Sequence, residues 1–385
     1  MRSRFGLSVL VLLSLAACDA PAPADTLIFV APENEAVIRA YVERLPEEID
    51  AGVRVTGDPV AAMAASSEGM RRIALTTDAA ACAGCYTLAA TEGGVSASGD
   101  APLGIQYGLS HWLEAMGVRF FHPSRTFLPA VLGSVSPDAF GPHAPEIAER
   151  GLQLHTLHPI ESYFDLWEPG EDNLADAERT LHWLVCNRGN FLTYPALNDI
   201  ALNETSRVAW REHTAAILDA AHLRGVRVGI GIQLFGRSSL QRALVLVPEE
   251  GSDVSEQIGA RLALLEGLPY DSFNLAFGEF FGAEPDRFVN TVEAAYDGIH
   301  ARWPDAEVTA TVHVGAFPDT RVTYMGQEQL YYFLVRYVER PIVPWLHTVM
   351  YYTLFEPAGG AYNHQDFFEH RDYLLEEMRA GSTIC

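Results

Sequence analysis

Six short apolar runs in the second half of the chain end beside side chains able to do chemistry. Leu152 to Thr156, Phe191 to Tyr194, Val226 to Gln233, Phe273 to Phe277, Val308 to His313 and Thr348 to Thr353 are apolar or β-branched, as strands are. Around them stand Arg150, His155 and His158, then Asn190, Tyr194 and Asp199, then Gln233, Gly278 and Glu279, then His313, and last Tyr351, Tyr352 and Glu356. Glu279 is the sharpest of these. A carboxyl group at a strand end beside Phe277, Phe280 and Phe281 is partly withdrawn from water, which raises its pKa toward what proton donation requires. The plainer reading is a solvated loop glutamate, one of 50 acidic residues. Glu356 is the best candidate for a second carboxylate, with Asp199 behind it. Arg150, His155, His158, Asn190, Tyr194, Gln233, His313 and Tyr352 offer the directional partners that sugar hydroxyls need. His155 and His158 form an HxxH pair, yet on a strand of period two they point to opposite faces, so both reach one metal only if the chain has left the strand by His158. His313 stands alone and no dense ligand cluster is present, so no metal or other cofactor is expected.

The elements that must position these residues alternate, strand then helix, from about residue 150. Such alternation indicates parallel strands with crossover helices. Six strands in this length match the pace of a (β/α)8 barrel, whose usual size is about 250 residues. After the sixth strand come one helix, Phe367 to Arg379, and Ser382 to Cys385, which reads as the start of a seventh strand. The expected fold class is therefore α/β, a small N-terminal α+β domain followed by a (β/α)8-type barrel truncated after strand 6 or 7, in a chain that continues in a longer gene. Alternatively, Ala243 to Val247 is an extra strand and the architecture is complete in another form. In the first domain, Leu27 to Val30 and Val53 to Val55 read as strands around a helix from Glu33 to Leu45. The domains are expected at 26–145 and 146–385, the GPHAP stretch at 141–145 breaking the pattern between them.

A chain of 385 residues, 49% hydrophobic and 20% charged, can bury a sizeable core. All 26 of its basic Lys+Arg residues are arginine. Without lysine there is no Schiff-base chemistry, no ordinary pyridoxal-phosphate site and no P-loop. A net charge of -24 opposes nucleic acid binding. Arg2 and Arg4, the apolar Leu7 to Leu15 and then Leu15-Ala16-Ala17-Cys18 resemble a bacterial lipoprotein signal, so residues 1–17 are expected to be removed, Cys18 lipidated and 18–25 to act as a tether. The membrane is then a partner through the anchor, and the location is the bacterial cell envelope, periplasmic or surface-facing. Export puts Cys82 and Cys85 in an oxidising compartment, where a local disulfide or two reduced thiols in a turn are the candidate states. Cys186 lies in an apolar helical stretch and reads as core.

From Cys85 to Pro123 two periods change over in order. Thr87 to Ala90 and Gly94 to Ser98 are strands about a Glu92-Gly93-Gly94 turn, and Ile105, Leu109, Trp112, Leu113 and Met116 then recur at helical spacing up to Gly117. Val118, Phe120 and Phe121 follow as a buried extended segment. This pattern resembles the small domain preceding the catalytic barrel in family-20 glycoside hydrolases (β-N-acetylhexosaminidases) and, more loosely, in family-67 α-glucuronidases. The run Phe273 to Glu279 is similar to the family-20 strand-4 ending, which implies that Glu279 is the general acid. Arg150 in Arg150-Gly151 aligns with the family's sugar-binding arginine, and Asn190 with the asparagine before strand 2. Departures accompany the likeness. Gly278 stands where family 20 has the aspartate that orients the acetamido group, and His155 replaces the strand-1 aspartate. The resemblance implies a glycosidase acting on an oligosaccharide or polysaccharide outside the cytoplasm. A non-catalytic carbohydrate-binding lipoprotein and a metal-dependent hydrolase using His155, His158 and His313 remain as alternatives.

Overall fold

The segment Thr26–Val30, TLIFV, is buried at every position, as a strand covered on both faces must be. It is β1, near the centre of the first of two main sheets in this computed structural model, which describes residues 24–156, 160–235, 242–249, 251–277, 283–313, 320–346 and 354–381. Around it lie α1 (Glu35–Val42), β2 (Ala51–Val55), α2 (Pro59–Ala65), β3 (Arg71–Thr77), β4 (Tyr86–Thr91), β5 (Gly94–Gly99), α3 (Leu103–Ala115), the small hairpin β6 (Arg119–His122) and β7 (Arg125–Phe127), and β8 (Gly141–His143). The strand order is β2-β1-β3-β5-β4-β8, parallel from β2 to β5 and antiparallel beyond. The expected hairpin is present as β4 and β5, closed by Thr91 opposite Gly94. Cys82 and Cys85 are joined in a disulfide just before it. One local reading is corrected: Val118 and Phe120 are buried, but Phe121 alternates to the solvent side and is 67% exposed.

Helix α3 fits against the hairpin because its glycines let it. A Cβ on Gly104 would lie 2.2 Å from the Cys85 carbonyl oxygen, and one on Gly108 2.8 Å from the Ala97 Cβ. Asp100 Oδ1 fixes the entry by accepting from the Gly84 and Gly104 amides, each at 2.8 Å.

The second sheet is built from β9 (Gly151–Gln153), β10 (Phe191–Pro195), β11 (Arg227–Phe235), β12 (Val245–Val247), β13 (Ser272–Ala276), β14 (Glu307–Val312) and, after the small hairpin β15 (Arg321–Tyr324) and β16 (Gln327–Leu330), β17 (Val343–Leu346). Helices α4 (Ile160–Trp167), α5 (Glu171–Cys186), α6 (Glu204–Leu223), α7 (Val254–Leu262) and α8 (Pro285–His300) intervene, and α9 (Phe368–Ala380) follows. The order β17-β14-β13-β11-β10-β9 is parallel throughout, with β12 beside the C-terminal end of β11. The sheet is curled into a half-barrel: Phe191 of β10 and Trp345 of β17 belong to strands that are not neighbours, yet their rings meet edge to face at 6.0 Å. The sixth strand is Val343–Leu346, upstream of the expected Thr348 to Thr353, and residues 347–353 lie outside those described. Pro344 sits in β17, where a missing N–H is tolerated because only β14 pairs with it among the described strands.

The two sheets are joined through α3 and α5. Gln106 Nε2 donates to the Arg224 carbonyl at 2.8 Å, Tyr107 Oη to the Gly189 carbonyl at 2.9 Å, and Trp183 Nε1 to the Phe120 carbonyl at 2.9 Å. At the same joint Tyr41, Ser110, Cys186 and His182 form a buried chain: Tyr41 Oη lies 2.8 Å from Ser110 Oγ and 3.3 Å from Cys186 Sγ, which is 3.4 Å from His182 Nε2. Burial, then Arg224 and Arg44, holds His182 at a pKa of about 3, against 6.5 in the open chain. Below about pH 6.5 the unfolded chain takes up a proton that folded His182 refuses, so this stability is complete above that pH and declines as pH falls toward 3, by about 1.4 kcal/mol per pH unit. Urea unfolding followed between pH 7 and pH 4 should show this fall, and His182→Gln should flatten it. An unchanged slope in the variant would show that His182 is not its source.

Candidate functional site

The concave face of the half-barrel is set by strand period. In-register pairing puts Phe191, Thr193, Gly229, Gly231, Gln233, Asn274, Thr309, Thr311 and Trp345 on one side, the side on which Phe191 meets Trp345. These residues fall into layers along the strands.

At the N-terminal end, Arg227 Nη1 donates to Glu149 Oε2 at 2.7 Å, its Nη2 is 3.9 Å from Glu307 Oε1, and its guanidinium lies over the Phe191 ring at 5.8 Å. Burial raises the Glu149 carboxyl above its usual range although Arg227 pulls it down. In the middle layer, Asn274 Nδ2 donates to Thr309 Oγ1 at 2.7 Å and Thr311 Oγ1 donates to Asn274 Oδ1 at 3.1 Å, so one amide holds two strands. Gly229 and Gly231 keep the adjoining floor open. A Cβ at Gly229 would stand 3.0 Å from Thr193 Oγ1, and one at Gly231 3.3 Å from the Pro195 Cα. Trp345 projects here with its indole N–H buried and without a hydrogen-bond partner among the described residues. At the C-terminal edge, Gln233 is buried, His155 follows β9, and His313 follows β14 with its ring 5.8 Å from that of Tyr332.

The face therefore presents amide, hydroxyl, imidazole and indole groups toward the edge where parallel barrels do chemistry. Of the residues expected from sequence, Gln233, His155 and His313 share this edge. Three others do not. Arg150 and Asn190 precede β9 and β10, at the opposite, N-terminal edge, and Arg150 donates to the carbonyls of Arg188, Ile147 and Ala148 and lies beside Tyr107. Asn190 Oδ1 accepts from the Arg150 amide and its Nδ2 donates to the Ala148 carbonyl, both at 2.8 Å. Together they tie the chain before β9 to that before β10, and Arg150 also reaches Tyr107 of α3. Tyr194 is on the other face of β10, 1% exposed, with its ring 6.5 Å from that of Tyr163 in α4. Glu356 is exposed between β17 and α9, and Asp199 is exposed after β10. Cys18, His158, Glu279 and Tyr352 lie outside the described residues. Among the described residues no group of three His, Cys, Asp or Glu side chains could hold a metal ion. Sequence reading missed Asn274 and Trp345. The lone amide inside the apolar run FNLAF was the available signal for the first, and the Val343-Pro344-Trp345 alternation for the second.

No protein-family model matches the chain, and no curated protein matches it in sequence. Solved structures do. The chain is similar to a GH20 β-N-acetylhexosaminidase from Streptomyces coelicolor A3(2), at 13% identity and TM-score 0.56 over 93% of this chain and 70% of that one. A β-N-acetylhexosaminidase from Bacteroides fragilis NCTC 9343 is similar at 12% identity and TM-score 0.52, over 94% and 73%. A GH20 exo-β-N-acetylglucosaminidase from Vibrio harveyi, solved with N-acetylglucosamine, gives 10% and 0.50 over 85% and 54%. At such identities the likeness is one of fold: a GH20-like half-barrel with its preceding domain.

Asn274→Ala removes the partner of two hydroxyls in the middle layer, so it should cost about 1–3 kcal/mol, read as a lower urea midpoint at unchanged slope. A midpoint equal to the natural chain's would mean the amide does not tie β13 to β14.

Proposed function

We propose that this protein is a glycoside hydrolase acting on glycans outside the cytoplasm. The observation that supports this reading best is the GH20-like half-barrel, whose concave face runs from an Asn274–Thr309–Thr311 layer and the Trp345 indole up to Gln233, His155 and His313 at the C-terminal edge. Glu279 follows closely on the end of β13. It is the general acid, giving its proton to the glycosidic oxygen as the bond to the anomeric carbon breaks, while water supplies the hydroxyl at that carbon and gives its remaining proton to one of the two carboxylates. Glu356 is the second carboxylate. His155, His158, Gln233, His313, Tyr352 and Trp345 hold the sugar. The Vibrio harveyi relative was solved with N-acetylglucosamine, which makes N-acetylhexosaminides the first substrates to test. Gly278 offers no carboxylate to an acetamido group, so the sugar need not be N-acetylated.

A second reading, a sugar binder without catalysis, is favoured by one observation. Among the described residues the concave carboxylates, Glu149 and Glu307, stand at the N-terminal end, bound to Arg227. Cys18 is proposed to carry a lipid that tethers the chain in the cell envelope. Among the described residues no helix is long and apolar enough to cross a membrane.

Hydrolysis of aryl β-N-acetylglucosaminides and other aryl glycosides tests the main reading. Glu279→Gln should lower turnover of a natural glycan by about 100- to 10,000-fold while sugar-induced thermal stabilisation persists. Stabilisation without turnover in the natural sequence would give the case to the binder. For the anchor, Cys18→Ser should move the protein from the membrane to the soluble fraction or leave its signal uncleaved. Identical partitioning and processing of the two forms would refute lipidation.

A further inference from the structure

The outer face of the hairpin β6–β7 is apolar and basic, in a chain whose net charge is -24. Phe121 is 67% exposed and Phe127 49%, with ring centroids 6.3 Å apart, and Val131 beyond them is 79% exposed. Large apolar side chains scattered singly over a surface are ordinary, whereas adjacent ones mark a contact site. Arg119, His122 and Arg125 are exposed beside them. Arg119 Nη1 donates to the carbonyls of Glu114 and Val118 at 2.6 and 2.7 Å, and neither arginine is in an ion pair among the described residues. No Asp or Glu occurs between Glu114 and Asp138, although acids number 50 in the chain.

This face lies at the end of the first sheet where β1 begins. β1, β3 and β5 run parallel, with Thr26 opposite Arg71 and Ile73 opposite Val95, so all three start at one edge. There the Met70 and Arg71 amides both donate to the Asp25 carbonyl at 3.0 Å. Helix α3 returns to that edge along β5: a Cβ on Gly99 would lie 2.9 Å from the Gly104 carbonyl carbon, and one on Gly108 2.8 Å from the Ala97 Cβ. The 13 residues of α3 and the 6 of β5 each span about 20 Å, so α3 ends level with the strand starts and the hairpin follows there. The Gly133 amide donates to the Met116 carbonyl at 2.8 Å, which keeps Val131 at the same end. Asp25, Asp50 and Glu92 share the edge, so the hairpin is the contact and the rest of the edge is not.

We propose that this hairpin docks on an anionic lipid bilayer, beside the Cys18 anchor proposed above, on which the inference rests. Cys18 stands eight residues before Thr26, a reach of at most about 28 Å, so a lipid on Cys18 keeps this edge within that distance of the headgroups. Phe121, Phe127 and Val131 enter the boundary between headgroups and acyl chains, and Arg119 and Arg125 meet the lipid phosphates there. The acid-free stretch leaves no carboxylate within the hairpin to oppose that approach. A tether alone fixes distance. This second contact fixes orientation.

The test places the lipidated full chain carrying Phe121→Trp in vesicles of equal parts phosphatidylglycerol and phosphatidylcholine, with or without bromine on the acyl chains. After subtraction of the emission of the chain's own six tryptophans, the emission at residue 121 should be quenched by the brominated lipid. A chain carrying Val208→Trp, changed at an exposed site on α6, should not be quenched. Arg125→Gln in the first chain should lower the ratio of docked to undocked molecules about fivefold. Emission that is unquenched at residue 121, or quenched equally at 121 and 208, overturns the docking, and pairing of two copies in sedimentation would then assign the face to a second copy. Mass spectrometry reports the lipid on Cys18 independently. If Cys18 bears none, the anchor reading fails by itself, and the same brominated vesicles mixed with the unlipidated chain decide the docking: quenching at residue 121 supports it and its absence overturns it.

Discussion

Helix α3 is enclosed on both sides, and that enclosure organises the molecule. From Leu103 to Ser110 every residue is buried, one side against the first sheet and the other against the base of the half-barrel. A helix in that position has no solvent face on which to leave polar groups. Gln106, Tyr107 and Ser110 therefore have to find partners in other elements, in Arg224, Gly189 and Tyr41. These bonds fix the position of the first sheet against the ends of α5 and α6, and so set where β10 and β11 begin.

From that base the half-barrel grades from charged to neutral. Its N-terminal end is closed by Glu149, Arg227 and Glu307, a cluster that holds the strand starts together. The middle is occupied by short polar side chains and by glycines that leave the floor uncrowded. The C-terminal edge carries the longer polar groups, Gln233 and His313, with their backbones anchored in strands or at strand ends. Such an arrangement keeps rigid parts below and recognition above, as barrel enzymes do.

Much of this was legible because strands and helices write different periods. The hairpin, α3 and five of the seven strands of the curled sheet stand where their apolar spacing puts them, since a buried parallel strand is apolar on both faces. What the period leaves open is direction. An apolar run identifies a strand without saying which end bears chemistry or which face a residue takes, and only the structure shows that Arg150 and Asn190 stand at the N-terminal edge and Tyr194 on the face opposite Thr193. The sixth strand was displaced because Pro344 interrupts the apolar signal that Val343 and Trp345 would otherwise give. Asp199, the reserve carboxylate of the sequence reading, stands exposed after β10 with its Oδ2 3.4 Å from Trp167 Nε1.

Arg150 carries one more implication, concerning ionic strength. Its guanidinium ties the chain before β9 to that before β10 through three carbonyl oxygens and lies beside the Tyr107 ring of α3. Dissolved ions weaken attraction between exposed opposite charges over a Debye length of about 8–10 Å near physiological concentration. A charge spent on carbonyl dipoles and a ring at hydrogen-bonding range gives them little to screen. This part of the joint therefore rests on the planar fork of arginine against fixed dipoles, and salt should loosen it less than the Arg44–Glu178 and Arg188–Glu114 ion pairs that bridge the same two sheets.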